Sequence, residues 1–370
     1  MNKLGFGFLR LPMVKDGEKE VLNYEAVNAM VDEFLALGGR YFDTAYTYLN
    51  GESEAGIKKC LVERHPREAF ELTDKLPTIK LKSEEDAQKF YDAQLERCGV
   101  QQFDNYLLHW LNKDIYAKAE KFKAFEFIKK LKDEGKVKKI GFSYHDGADL
   151  LEEILTAHPE VDIVQLQINY LDWESPAIQA RKCYDVAVAH GKEVIVMEPI
   201  KGGTLVNLPE EALKVLRRVD ETETPAAWAL RFAQDLEAVS VVLSGMGTVE
   251  QIRENMVDFK PLSDAERLAL VQVRKIKKAA TAVACTACSY CVRSCPKKIA
   301  IPQYFALYNE YAQSPAEGWK MTPVYKGITE TRGKASDCIK CRLCEQNCPQ
   351  KLPITDYLEA VAKAFEPQPR

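Results

Sequence analysis

The sequence of 370 residues lacks an apolar run long enough to cross a membrane, and it lacks a strong net charge. No uninterrupted apolar stretch approaches the ~20 residues that a membrane-spanning helix requires. The formal net charge is −4 with acids and bases well mixed, which gives no indication of nucleic acid or a membrane surface as a partner. The opening MNKLGFGFLRLPMVKDGEKE has too short an apolar run for a secretory signal. We therefore expect a globular cytoplasmic protein.

Cysteine is scarce over most of the chain and concentrated near its end. Residues 1–284 contain three cysteines, Cys60, Cys98 and Cys183, whereas the other eight of the eleven fall in two short segments. These segments read CTACSYCVRSCP (285–296) and CIKCRLCEQNCP (338–349). Because disulfides are rare in the reducing cytosol, close-set thiols there are better explained as metal ligands.

Each cysteine segment has the spacing C-x2-C-x2-C-x3-C-P, which is the bacterial ferredoxin pattern for a [4Fe-4S] cluster. When two such patterns are present, the fourth cysteine of each ligates the other cluster. One cluster would then be held by Cys285, Cys288, Cys291 and Cys348, and the other by Cys338, Cys341, Cys344 and Cys295. The alternatives are two zinc ribbons or unrelated cysteines, although zinc sites usually show two C-x2-C pairs or a Cys/His mixture. The tail resembles the two-cluster ferredoxins, particularly the helical kind inserted in larger redox enzymes, because helix-like IPQYFALYNEYAQ lies between the patterns.

Apolar, β-rich segments alternate with amphipathic segments over the first 260 residues. The amphipathic segments, such as YEAVNAMVDEFLALG, have apolar residues at three- and four-residue steps and end in glycine, as capped helices do. Eight strand-helix repeats over about 250 residues predict a (β/α)8 barrel. A doubly wound open sheet is the alternative, but no G-x-G-x-x-G follows a strand and opens a helix. The eight predicted strands are LGFGFLRL, YFDTA, AFELTDK, NYLLHW, KKIGFSYH, DIVQLQINY, EVIVMEPI and VSVVLSG.

The segment LSDAERLALVQVRKIKKAA predicts a helix with a serine cap, acids in its first turn and bases in its last. We expect it to join a barrel over residues 1–262 to a mainly helical ferredoxin-like domain over 282–370, with 263–281 as the connection. From position 268 to 309 there are seven basic residues and no acid. These bases could dock an acidic ferredoxin or flavodoxin, or they could offset the negative charge of the clusters and the helix dipole.

Polar residues stand at the ends of three consecutive predicted strands, where the active sites of such barrels lie. Asp43 ends the second strand and opens DTAYTYLNGESEAG, which contains Tyr48; Lys75 lies in LTDKLP and His109 in YLLHW. These stretches resemble the motifs of the aldo-keto reductases, and the resemblance covers the whole predicted barrel. It implies that Tyr48 is the proton donor, that Lys75 and Asp43 form the ion pair that tunes it, and that His109 orients the carbonyl.

The chemistry of carbonyl reduction explains this set. Hydride transfer to a ketone places negative charge on oxygen, so a proton donor must be within reach, and a tyrosine with a pKa of about 10 is a weak one near neutrality. A lysine ammonium beside it favours the phenolate, and His109 would add a second hydrogen bond to the oxyanion. Each residue alone has an ordinary structural explanation as a helix cap, a packing group, a solvated base or a core histidine. Their combined spacing favours a site.

The resemblance also implies a dinucleotide site. The nicotinamide carboxamide would be held by Ser143 and Gln165, while Gln167 and Asn169 share the face of Gln165 and are explained equally well by a polar barrel interior. In PIKGGTL and SGMGTVEQIREN, a pyrophosphate would meet bare backbone amides and a helix N-terminus. The residues implied there are Lys201, Gly202, Gly203, Gly245 and Gly247, with Glu254 and Asn255 at the adenine.

The sequence departs from the family pattern in two respects. Relatives usually carry an aromatic residue before the proline of strand seven, where this chain has Met197. They also usually place basic residues for the 2′-phosphate of NADP where this chain has Gly245, Gly247 and Gln251, and helical spacing turns Arg253 away from that position. NADP and NAD are therefore both retained as cofactors.

Three functional hypotheses follow. In the first, the barrel interconverts a carbonyl and an alcohol, and the clusters exchange electrons with a carrier protein. In the second, the clusters only stabilise a small domain that is too poor in core to fold alone. In the third, the barrel is inactive and the protein is an electron carrier or assembly subunit, which the complete set of site residues argues against. A hydride carries two electrons and a cluster moves one, so a flavin in the barrel is retained as an alternative cofactor.

Overall fold

The computed structural model describes residues 3–17, 19–176, 178–256, 259–313, 315 and 318–366. The chain forms two compact units. The first comprises Met1–Ile200 and Glu223–Ser263, and the second comprises Lys201–Thr222 and Asp264–Arg370. The segment 201–222, which the sequence suggests as part of the barrel, thus belongs to the second unit.

The strands are β1 (Leu4–Gly7), β2 (Met13–Asp16), β3 (Lys19–Leu22), β4 (Tyr41–Asp43), β5 (Glu71–Leu76), β6 (Phe103–Leu111), β7 (Val137–Tyr144), β8 (Ile163–Gln167), β9 (Glu193–Met197) and β10 (Val239–Ser244). Eight of them close a barrel in the order β1-β10-β9-β8-β7-β6-β5-β4, with parallel neighbours throughout. The predicted (β/α)8 fold is confirmed, and each predicted strand segment overlaps one barrel strand. Because all eight strands are parallel, their carboxyl ends meet at one end of the barrel.

The helices are α1 (Tyr24–Ala36), α2 (Glu52–Gly56), α3 (Glu85–Cys98), α4 (Lys113–Lys121), α5 (Ala124–Asp133), α6 (Ala148–Ala157), α7 (Ala180–Ala189), α8 (Glu210–Arg217), α9 (Pro225–Gln234), α10 (Val249–Asn255), α11 (Asp264–Ala279), α12 (Tyr290–Arg293), α13 (Ile301–Gln313), α14 (Gly318–Thr329), α15 (Leu343–Gln346) and α16 (Ile354–Phe365). A π-helix spans Ile57–Val62, and short 3-10 helices span Tyr48–Gly51, Arg67–Ala69, Thr78–Lys80 and Ala335–Asp337. Within the part of the chain that the structure describes, no helix combines the length and apolar character needed to cross a membrane.

Two apolar layers hold the barrel together. One fills its interior with side chains from five strands, and the other packs the strands against the surrounding helices. The strands approach closely at Gly141, where an added Cβ would lie 2.1 Å from the carbonyl oxygen of Ile163. This contact leaves no space for a side chain, which explains the glycine in the middle of β7. The interior layer consists of Tyr41, Leu107, Ile163, Ile195 and Leu243.

An antiparallel hairpin of β2 and β3 interrupts the barrel order between β1 and α1. The sequence analysis does not predict it, because most side chains of β2 are exposed and the segment is rich in charge. Without a buried face, a strand shows no apolar alternation for a sequence pattern to detect.

The second unit is mainly helical and has its own apolar core. Within it, α8 packs against α11, which explains why the segment 201–222 joins this unit. Helices α13, α14 and α16 contact one another around a buried core that includes Tyr304, Phe305, Tyr325, Leu358 and Phe365. This core keeps the two cysteine segments on a packed scaffold.

Candidate functional site

Asp43 and Lys75 form a buried ion pair at the carboxyl ends of β4 and β5. The Lys75 side chain is fully buried, and its Nζ donates to Asp43 Oδ1 at 2.5 Å and to the carbonyl oxygen of Thr44 at 2.8 Å. A third contact, at 3.4 Å, runs from Nζ to the Tyr48 hydroxyl oxygen. A buried ammonium requires such partners, because its transfer from water is costly unless it is paired and hydrogen-bonded.

Tyr48 is held by a tight turn that follows it in the sequence. Leu49 and Asn50 have φ values of 48° and 57°, and Gly51 has a φ of 97°. A β-carbon at Gly51 would lie 2.4 Å from Nη2 of Arg97, which donates to the Gly51 carbonyl oxygen at 3.0 Å. Left-handed backbone is costly for leucine, so the surrounding contacts must maintain this turn.

A β-bulge positions His109. The register of β6 against β7 shifts between Leu108 and Leu111, and Trp110 has a φ of 65°. The Trp110 amide donates to Ser143 Oγ at 2.7 Å, which fixes the bulge against β7. The ring of His109 then meets the ring of Tyr48 edge to face, with 5.8 Å between centroids. The structure thus brings together all four predicted catalytic residues.

The electrostatic setting keeps Tyr48 protonated and His109 neutral near pH 7. Burial raises the pKa of Tyr48 well above its usual value, and the nearby charges of Asp43, Asp74 and Glu198 add to this effect. The Lys75 ammonium opposes it. Burial also lowers the pKa of His109 well below its usual value. The site therefore presents a hydroxyl proton and a neutral imidazole.

The depressed pKa of His109 predicts a pH dependence of stability. The unfolded histidine takes up a proton as the pH falls below about 6.5, whereas the buried one does not, so protonation stabilises the unfolded state. The free energy of unfolding should therefore decrease as the pH falls from 7.5 to 5.5. We expect the urea midpoint of the barrel to fall less over this interval in His109→Gln than in the wild type. Equal falls would contradict a neutral buried His109.

A buried polar network behind Lys75 was not identified from the sequence as functional. Gln94 Nε2 donates to Glu54 Oε1 at 3.0 Å and to the Lys75 carbonyl oxygen at 3.1 Å, while Tyr106 donates to Gln94 Oε1 at 2.6 Å. Asp74 accepts the Lys75 amide at 2.7 Å, and burial, followed by the charge of Glu54, raises the pKa of Asp74 well above its usual value. These groups fix the backbone that carries Lys75. Glu54 lies in the motif stretch NGESEAG, and this position is the one sequence signal that could have identified the network.

Ser143 and Gln165, the predicted carboxamide contacts, are both buried, Ser143 near the end of β7 and Gln165 in the middle of β8. Gln165 Nε2 donates to Asp43 Oδ2 at 3.3 Å, so it lies beside the ion pair, and Ser143 accepts from the bulge at Trp110. Gln167 and Asn169 instead donate to Asp172 Oδ2 at 3.2 and 3.0 Å. These last two contacts are those of a polar structural layer.

The loop after β10 contains Gly245 and Gly247, next to a basic residue that the sequence analysis missed. A β-carbon at Gly245 would lie 3.2 Å from Cδ of Arg10, which follows β1, and one at Gly247 would lie 3.4 Å from the Arg10 carbonyl oxygen. Arg10 also lies 4.0 Å from the Glu198 carboxylate. Because Arg10 and Gly245 are more than 230 positions apart in the sequence, no local sequence pattern predicts this contact.

At α10, Thr248 caps the helix by accepting from the Gln251 amide at 3.2 Å. Glu254 is exposed, whereas Asn255 is buried and donates to Ser244 Oγ at 3.2 Å. Arg253 pairs with Glu33 at 2.6 Å on α1, in agreement with helical spacing that turns it away from Gln251.

The eight cysteines of the second unit line two cavities, each with about 310 Å³ of space that includes open solvent. The sequence predicts the same two groups of four. Among the described residues, no three His, Cys, Asp or Glu side chains are placed to hold a single metal ion. A cavity lined by four thiols from two segments fits a larger inorganic core such as [4Fe-4S]. The first cavity is lined by Cys285, Cys288, Cys291 and Cys348, and the second by Cys295, Cys338, Cys341 and Cys344.

Lys201, Gly202 and Gly203, the predicted pyrophosphate contacts of strand seven, belong to the second unit. Gly202 and Gly203 have φ values of 60° and 88° and form a turn. Lys201 is buried, and its Nζ donates to Gln350 Oε1 at 2.6 Å. Its side chain is therefore directed toward the residue that immediately follows the second cysteine segment.

Comparison with known proteins agrees with both parts of this description. Residues 3–275 match the model of the aldo/keto reductase family, and residues 284–353 match that of a 4Fe-4S dicluster domain. An aldo-keto reductase of Mycobacterium avium (strain 104) is 26% identical over 253 residues, which cover 68% of this chain and 82% of the relative. The NADH-specific methylglyoxal reductase of Escherichia coli (strain K12) is 26% identical over 273 residues, which cover 62% of this chain and 81% of that protein.

Among solved structures, the holo form of aldo-keto reductase AKR11C1 from Bacillus halodurans superposes with a TM-score of 0.59 at 24% identity. The match covers 73% of this chain and 91% of that structure, and it shows the fold. The chain belongs to the aldo/keto reductase family and carries a 4Fe-4S dicluster domain after the barrel. It is an oxidoreductase.

Proposed function

We propose that the barrel interconverts a small carbonyl compound and its alcohol with a nicotinamide dinucleotide, and that the second unit exchanges electrons with a carrier protein through two [4Fe-4S] clusters. The observation that carries the first half is the buried contact of Lys75 with both Asp43 and Tyr48 beside His109. A protonated hydroxyl and a neutral imidazole at the same end of the barrel are what the reduction of a carbonyl requires.

Each site residue has a defined part in this reaction. A reduced nicotinamide dinucleotide, when bound, supplies the hydride that adds to the carbonyl carbon. Tyr48 accepts a hydrogen bond from Lys75, so its own proton remains available for donation to the carbonyl oxygen as that oxygen gains charge. The Lys75 ammonium then stabilises the phenolate until solvent returns the proton, and Asp43 holds Lys75 in place. His109 donates a second hydrogen bond to the same oxygen.

In the first unit, we propose that Ser143 and Gln165 contact the carboxamide and that Gly245 and Gly247 present backbone amides to phosphate. Arg10 beside Gly245 supplies a positive charge to that loop. Glu254 and Asn255 would contact the adenine. The NADH-specific methylglyoxal reductase among the relatives supports NADH as one candidate and a small carbonyl as substrate.

Binding measurements test this half of the proposal. We expect anaerobically purified protein to quench NADH or NADPH fluorescence saturably, and the ratio of the two dissociation constants to define the preferred cofactor. Cofactor extraction from the same sample distinguishes the flavin alternative, because a stoichiometric flavin with no dinucleotide binding would contradict the proposed hydride donor.

Two observations support electron exchange over a purely structural role for the clusters. The second unit has an apolar core that includes Tyr304, Phe305 and Leu358, so it does not depend on metal alone for its packing. Cys341 is exposed, and the apolar side chains of Ile339 and Leu343 on either side of it are 58% and 43% exposed. Exposed apolar groups around a ligand of the second cluster fit a surface where a carrier approaches.

Clusters that depend on eight free thiols also support a cytoplasmic location.

Charge around Cys341 supports an acidic carrier as the partner. Lys340 and Arg342 flank it, and their side chains are 63% and 70% exposed, so an acidic ferredoxin or flavodoxin is the complementary partner. We expect Arg342→Glu to lower the rate of electron exchange with such a carrier about tenfold at low salt, and the difference to shrink as salt rises. Stopped-flow absorbance would measure the rate.

The matched control is Lys182→Glu, which reverses an exposed charge on α7 of the barrel and should leave the rate unchanged. Equal effects of the two variants would mean that only net charge matters. That result would contradict docking beside Cys341.

A further inference from the structure

Lys201 is a buried cation inside the unit that carries the cysteines. It is 2% exposed, and its Nζ lies 2.6 Å from Gln350 Oε1. A lysine with this burial requires polar partners that compensate for its lost hydration, and Gln350 is one of them. Lys201 also precedes the turn at Gly202 and Gly203, so the backbone fixes where the side chain starts.

Lys201 contacts a residue that lines the first cysteine cavity. Gln350 follows Cys348 by two positions and lines that cavity together with Cys285, Cys288 and Cys291. The rest of the lining is largely apolar, with Ile301, Phe305, Leu352 and Ile354 among its side chains. A charge in such surroundings is weakly screened and acts over several ångströms.

The second cavity differs in this respect. Its basic residues are Lys297 and Arg342, both exposed, and Arg342 lies 3.8 Å from Glu345. Water and salt screen exposed charges strongly, so these two act weakly on a group inside the cavity. The two cavities thus have the same thiol chemistry but different buried charge.

We propose that Lys201 raises the reduction potential of the cluster held by Cys285, Cys288, Cys291 and Cys348. Reduction adds one electron from an external donor to the cluster and makes it more negative by one charge. A fixed cation nearby stabilises the reduced form over the oxidised form, and net charge is one of the factors that set the potentials of such clusters. The inference rests on the proposed function, because it requires that both clusters are present. Lys201 then acts through electrostatics on the cluster, and the pyrophosphate is bound by backbone amides instead.

The test is a dithionite titration of the anaerobic full-length holoprotein followed by electron paramagnetic resonance. We expect Lys201→Gln to lower the equilibrium constant for reduction of one cluster about tenfold, which is ~59 mV for a one-electron couple, and to leave the other unchanged. Lys201→Arg, which retains the charge, should keep the wild-type potential. The matched control is Lys297→Gln, which removes an exposed charge from the second cavity. It should shift each cluster potential by less than the ~59 mV expected for Lys201→Gln.

Iron analysis separates failure of this inference from failure of the proposed function. Fewer than about eight irons in the wild type would contradict the two clusters themselves. With eight irons present, unchanged potentials in Lys201→Gln would overturn the inference, and a simultaneous rise in the dinucleotide dissociation constant would assign Lys201 to the pyrophosphate.

If Lys201→Gln loses iron, Gln350→Glu places a carboxylate against the lysine and should lower the same potential. Loss of iron from both variants, or an unchanged potential in Gln350→Glu, would also overturn the inference.

Discussion

Replacing Tyr48 by phenylalanine is expected to slow carbonyl reduction by about 10² to 10⁴-fold, which is the usual contribution of a general acid. The change removes one oxygen and leaves the ring that packs against His109 and lies 4.9 Å from Lys75 Nζ. Dinucleotide binding should therefore persist while turnover falls. Steady-state kinetics for kcat and a fluorescence titration for the dissociation constant measure the two effects separately.

The neighbouring tyrosine provides a matched control. Tyr46 lies two positions earlier, and its ring packs against Phe90 at 5.2 Å between centroids. Tyr46→Phe should therefore retain turnover within a few-fold. Wild-type turnover in Tyr48→Phe would remove the assignment of Tyr48 as proton donor, whatever the control shows.

Replacing Cys288 by alanine is expected to lower the iron content from about eight to about four per chain and to abolish one-electron exchange through the affected cluster. A [4Fe-4S] cluster requires its four thiolates, and Cys288 lines the first cavity with three others. The barrel has separate apolar layers, so dinucleotide binding should survive. Iron and acid-labile sulfide analysis, together with exchange from a reduced low-potential donor, measure the outcome.

A cysteine outside the two cavities is the control for this change. Cys183 is buried on α7 of the barrel, and Cys183→Ala should keep eight irons. Full iron content in Cys288→Ala would contradict the ligand assignment. If Cys288→Ala lowers the melting temperature but leaves electron exchange at the wild-type rate, the clusters are structural.

The barrel could be predicted because its strands are buried and its helices are amphipathic, so both leave a periodic pattern in the sequence. The β2–β3 hairpin could not, since three of the four residues of β2 are exposed and two of these are charged. The assignment of residues 201–222 to the second unit depends on the packing of α8 against α11. Such a contact between distant segments has no local signature.

The same distinction applies to the site. Asp43, Tyr48, Lys75 and His109 end consecutive strands or follow them closely, so position along the chain was sufficient to group them. The groups that hold them were not evident. The bulge at Trp110 depends on register against β7, and the contact of Arg10 with the Gly245 loop depends on the neighbours β1 and β10. Lys201 is the opposite case. Its position in a glycine-containing loop predicts a contact with phosphate, whereas in the structure its side chain contacts Gln350.

Isotope transfer tests the central claim most directly. Anaerobic wild-type protein is mixed with a dinucleotide deuterated at the hydride position and with a panel of small aldehydes and ketones, and the products are analysed by mass spectrometry. We predict one deuterium on the carbinol carbon of the alcohol, with product formation reduced at least a hundredfold in Tyr48→Phe. Alcohol that forms without deuterium, or at equal rates in both proteins, would contradict hydride transfer assisted by Tyr48.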